Sequence, residues 1–131
     1  MIYNLVQYIK NSIAGYEVTC NGWQAGTTDR AANVSESGGD PHPWIKRNDF
    51  NIQIIARAKV KTTARVDIMA IYTLLHKHGW AGLTLPSATV DSIIYPAVKV
   101  WKIVAVQLPG YIGADANGRE EFSVNFTITT E

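Results

Sequence analysis

Two stretches of strict alternation constrain this chain more than anything else in it. Across 50–60 the even positions Phe50, Ile52, Ile54, Ala56, Ala58 and Val60 are apolar, while Asn51, Gln53, Arg57 and Lys59 fall between them with Ile55. The pattern returns near the end, where Phe122, Val124, Phe126 and Ile128 alternate with Ser123, Asn125, Thr127 and Thr129. A period of two puts one pleat face in a core and leaves the other polar, so both stretches predict long strands of one sheet. Neither gathers an acid, a base and a nucleophile at its end. Such a sheet reads as scaffolding.

Between them the periodicity changes. Ala64, Ile68, Ile71, Tyr72 and Leu75 fall on one helical stripe, with Thr62 or Thr63 placed to cap the helix and Asp67 in its early, positive part. This helix is expected to run to His78 and stop at Gly79. Val66, Met69 and Ala70 lie off the stripe. A helix packed only on its own sheet has no need of that second apolar patch, which makes the three residues a candidate subunit interface. Ile2, Leu5, Val6, Ile9 and Ile13 form a similar stripe at the start, with Asn4, Gln7, Lys10 and Asn11 on the polar side and Gly15 as the stop. Glu17–Cys20 suits a short strand.

The segment 21–48 is punctuated by Gly22, Gly26, Gly38, Gly39, Pro41 and Pro43 among Ser, Thr, Asn and Asp. It is expected to be a long flexible loop holding at most a brief strand near Val34, with Trp44 and Ile45 packing at its end. After the second helix, 80–85 predicts a short strand, 86–91 a turn and 95–108 the longest strand. In that last strand Val98, Val100, Val104, Val106 and Leu108 share a face with Lys102, opposite Lys99, Trp101 and Ile103. Asp115-Ala116-Asn117-Gly118 then makes a turn. The expected fold is α+β, an α/β sandwich: a mixed, mainly antiparallel sheet with two helices packed on one face. For 131 residues a single domain, 1–131, is the natural count.

Charge and cysteine usage narrow the function classes. The formal net charge of +1 gives no cause to expect broad nucleic-acid or membrane binding. Six of the 12 basic residues, Lys46, Arg47, Arg57, Lys59, Lys61 and Arg65, nevertheless sit close together with only Asp49. They read either as solvated surface or as a face for a polyanion or an acidic partner. Cys20 is alone, so no internal disulfide forms. The opening 1–14 lacks a basic segment followed by an apolar run, and no stretch nears the ~20 apolar residues of a membrane span. The protein is therefore expected to be soluble and inside the cell where it is made.

No motif carries recognisable chemistry. His76 and His78 point to nearly opposite sides of a helix, and Asp40-Pro41-His42 lacks a third ligand. Asp115-x-Asn117-Gly118 echoes a calcium loop without its closing carboxylate. Ser35-Glu36-Ser37-Gly38-Gly39 has no lysine and opens no helix, so it is not a phosphate cradle. Glu120 and Glu121 face opposite sides of a strand. No catalytic residue, cofactor or metal is expected.

The order of elements resembles the tail terminator (tail-to-head joining, minor capsid) proteins of long-tailed bacteriophages. The likeness is carried by Val34-Ser35-Glu36-Ser37-Gly38-Gly39-Asp40-Pro41, then Phe50-Asn51-Ile52-Gln53-Ile54 leading through Ala56-Arg57-Ala58 to Ile71-Tyr72-Thr73-Leu74-Leu75. Leu108-Pro109-Gly110-Tyr111-Ile112-Gly113, Asn117-Gly118-Arg119 and the 122–129 strand complete it. The resemblance implies a structural virion protein of the tail and neck, found in the host cytoplasm during assembly. It implies a hexameric ring that caps the tail tube and offers a joining surface to the head connector. Its partners would be itself, the tail tube protein, the head-side connector protein and, without specificity, transiting DNA, with no membrane. In such a ring Arg57 and Lys59 would line the lumen or pair with acids such as Glu120 or Glu121 of the next subunit. Another phage neck or tail-tube subunit, or a small non-viral binding module, are the alternative readings.

Overall fold

The alternating segments pair with each other in the computed structural model, which describes residues 1–13, 15–23, 26–41, 47–76 and 83–130. In chain order the elements are α1 (Ile2–Ser12), β1 (Glu17–Cys20), β2 (Ala31–Pro41), β3 (Asn48–Ala58), α2 (Lys61–His76), β4 (Leu83–Leu85), β5 (Ala88–Val90), β6 (Ile93–Tyr95), β7 (Val98–Ala105), β8 (Gly110–Ala114) and β9 (Glu120–Thr130). The main sheet has the order β1-β2-β3-β9-β7-β4, with β8 also paired to β9. Only β1 and β2 run parallel; the other pairs are antiparallel. The fold is thus mixed α+β on a mainly antiparallel sheet.

Register explains the burial. Ile52 pairs with Phe126, Ile54 with Val124 and Ala56 with Phe122, so the apolar phases of β3 and β9 coincide. All six are buried, in one cluster with Ala64, Ile68, Ile71 and Leu75 of α2 and Leu5, Val6 and Ile9 of α1. Burying an aliphatic side chain of this size is worth roughly 1.5–3 kcal/mol, so this shared phase is the main organiser of the subunit. Phe50 is only partly covered and Val60 is exposed, because β3 has ended before it.

The expected loop at 21–48 is largely ordered backbone. β2 occupies eleven of its residues and buries Ala31, Ala32, Asn33 and Val34 between β1 and β3. Glycine density concealed the strand, yet Gly39 belongs to it: a Cβ there would stand 1.7 Å from the Asp49 carbonyl oxygen. The register shifts between Glu36 and Gly39, a bulge that lets the two backbones close up. Trp44, Ile45 and His42 lie outside the described residues, as do His78, Gly79 and Trp80.

β7 departs from simple alternation for a related reason. Its register against β9 slips between Val100 and Lys102, so Val100 and Ile103 are both buried although the sequence phase sets them on opposite faces. The expected turn at 86–91 is instead part of a hairpin, β5–β6, tightened at Asp91 and Ser92, whose φ values are 51° and 66°. Asn4, expected on the polar side of α1, is buried and donates from its amide nitrogen to the carbonyls of Pro86, Tyr95 and Pro96 at 2.9–3.2 Å. It clamps that hairpin to the helix.

α2 also begins differently from expectation. The Ala64 amide donates to the Val60 carbonyl, so Thr62 and Thr63 lie inside the first turn rather than capping it. Asp67 is buried and held by Arg30, whose Nε and a terminal nitrogen donate to its two oxygens at 2.9 and 2.8 Å. Its partner, and not the helix dipole, explains its place.

Candidate functional site

The off-stripe residues of α2 form a surface. Val66 is 65% exposed and Met69 38% exposed, with Ala70 exposed beside them. They line a broad groove of about 660 Å³ with Ile13 from the end of α1, Leu74, and Arg65. The sequence-level reason survives in the geometry. The stripe Ala64, Ile68, Ile71 and Leu75 is consumed by the core, which leaves Val66, Met69 and Ala70 facing outward with no covering element.

Arg57 and Lys59 behave otherwise. Arg57 is 3% exposed, beneath Trp23, whose ring lies 3.9 Å from the guanidinium carbon. One terminal nitrogen donates to the Thr28 carbonyl at 3.0 Å, and Nε is buried without a hydrogen-bond partner. Burial, and then the nearby Arg119 charge, lower its pKa. Lys59 stays exposed, 3.6 Å from Asp29, which also lies 3.7 Å from Arg119. The open polar face expected for Arg57 is therefore covered by the segment preceding β2. A tryptophan outranks water as the neighbour of a guanidinium that can stack. Only the distant Trp23 could have signalled this, and spacing does not reveal such a contact.

The proposed acidic partners are engaged inside the same subunit. Glu121 sits directly across from Arg57 in the β3–β9 register, and burial raises its pKa. Glu120 accepts a hydrogen bond from the Tyr111 hydroxyl. Asp115 closes the β8–β9 turn: its carboxylate accepts from the amides of Asn117 and Arg119 and from Arg119 Nε at 2.7 Å. These bonds hold its pKa below the ordinary value, and they occupy the oxygens that a calcium loop would need. Among the described residues no group of three or more His, Cys, Asp or Glu side chains could hold a metal ion. Cys20 is half-buried, and burial pushes its thiol pKa up, away from nucleophilic character. Tyr16 is raised to about 12 by burial, its hydroxyl unpartnered beneath Arg30. His76 stacks on Tyr72 at 5.0 Å. No described helix is long and apolar enough to cross a membrane.

These features define a scaffold that offers surfaces for contact. The comparison with known families agrees in kind: the model of the bacteriophage tail terminator proteins matches residues 27–131, from just before β2 through β9. The chain belongs to that family, a structural component of the phage tail. A search of curated proteins finds no match. A place in the virion tail fits this membership.

Proposed function

We propose that the protein caps the tail tube as a closed ring, with a hexamer as the expected size, and gives the head connector its joining surface. It acts by contact alone and catalyses no reaction. Assembly takes place in the host cytoplasm, with both helices lying on the same side of the sheet. The observation that carries the reading is the exposed groove at Val66, Met69 and Ala70, apolar surface that the subunit's own core leaves uncovered. Repeated head-to-tail contacts through one such patch close into a ring when the rotation between subunits permits. Arg57 and Lys59 serve the subunit first, holding the segment at Trp23, Thr28 and Asp29 against the sheet end.

Met69→Glu tests this. A charge in the groove leaves the core untouched, so the melting temperature should stay near that of the unaltered protein. Light scattering should show the larger species weakened or absent. A protein that is strictly monomeric at high concentration, and that never decorates tube ends, would rule the reading out.

A further inference from the structure

A second charged surface surrounds Trp101, and the family comparison says nothing about it. The bulge in β7 makes Trp101 the extra residue between Val100 and Lys102, and its ring is 40% exposed. The Arg47 guanidinium carbon lies 4.3 Å from the ring centre and Lys99 Nζ 5.9 Å from it. Lys102 is opposite Thr129 in the β7–β9 register, and Asp49 is opposite the same Thr129 in the β3–β9 register. The three therefore share one rung and one face of the sheet. Thr129 donates to Asp49 at 2.6 Å. Arg47, Lys99 and Lys102 thus gather at one end of the sheet with Asp49 as the carboxylate on that rung.

From this arrangement we infer that the Arg47–Lys99–Trp101–Lys102 patch contacts the phosphate backbone of duplex DNA. Three cations on one face supply the sequence-independent attraction that phosphates provide. Stacking on Trp101 holds the Arg47 fork in place, which lowers the entropy lost when it binds. Because Arg47 covers it, the ring is a brace for a cation and not an open platform for bases. That favours duplex over single strands. The other basic face is less suited, since Arg57 is buried and Lys59 is beside Asp29. The patch belongs to the single subunit, so the inference does not depend on ring closure.

Binding of a labelled duplex of about 20 base pairs, followed by fluorescence anisotropy across a salt series, tests it. Three phosphate contacts predict a slope of log K against log salt near −2.7, about −0.9 per contact. Lys99→Glu with Lys102→Glu should abolish binding, and Lys99→Gln alone should reduce the slope by about 0.9. Trp101→Ala keeps every charge, so it should weaken binding several-fold with the slope unchanged. Lys59→Glu and Lys10→Glu should leave affinity within about twofold, as distant exposed charges are screened. The inference is overturned if duplex DNA does not bind at low salt, or if Lys59→Glu is as damaging as the Lys99/Lys102 pair. Tighter binding to polyglutamate than to DNA would assign the patch to an acidic protein and overturn it too.

Discussion

Removing Arg30 should cost more than removing Asp67, although the two share the same pair of hydrogen bonds. The Asp67 side chain is 4% exposed and the Arg30 side chain 47% exposed. Arg30→Ala therefore strands a buried carboxylate that has lost donors at 2.8 and 2.9 Å. Breaking a buried pair in this way costs about 3–5 kcal/mol, and the half-open arginine side argues for the lower end, about 3 kcal/mol. Asp67→Ala instead leaves a guanidinium that turns into water. It loses the two bonds but gains up to about 0.7 kcal/mol of helix propensity, for a net cost of about 1–2 kcal/mol. Urea unfolding resolves a gap of this size: at a slope of about 1–3 kcal/mol per M, the two midpoints differ by about 1 M. The double variant should cost little more than Arg30→Ala, because the pair acts as a unit. If Asp67→Ala is equally or more destabilising, the buried carboxylate is not the expensive partner and the reasoning fails.

Three further outcomes follow from the same structure. Ile54→Ala should destabilise by about 2–5 kcal/mol while Gln53→Ala, on the exposed face, stays within about 0.5 kcal/mol; equal melting losses would refute the β3–β9 register. Asn4→Ala should release the β5–β6 hairpin, so limited proteolysis should cut near Asp91 and Ser92 sooner than in the unaltered protein, and an unchanged cleavage order would remove the clamp. The folded pKa of Asp115 lies below its ordinary 3.8, so its contribution is complete above that pH and declines as pH falls past it. The stability difference from Asp115→Ala, measured by urea unfolding, should therefore shrink on acidification, and a difference that grows would contradict the turn assignment.

The long strands and both helices were legible because burial imposes a period, and Ile52, Ile54, Val124 and Phe126 display it without interruption. β2 was not, because a strand interrupted by a bulge at Gly38 and Gly39 has the composition of a loop. β7 misled at one point for the same reason: a single extra residue at Trp101 reverses every later side chain. Asn4 and Asp67 were misread because their partners, the carbonyls at Pro86, Tyr95 and Pro96 and the Arg30 guanidinium, are remote in sequence. The patch at Val66, Met69 and Ala70 could be read directly, since exposure of an off-stripe apolar residue follows from helical geometry alone. Arg57 could not. Its burial depends on Trp23, carried there by a segment with no periodicity of its own.

Electron microscopy of purified tail tubes mixed with the protein tests the central claim most directly. The account predicts a closed ring of density added at one end of each tube, lost when Met69→Glu replaces the unaltered chain although that variant remains folded. Tube ends that stay bare with the unaltered protein, or rings that form equally well with Met69→Glu, would contradict it.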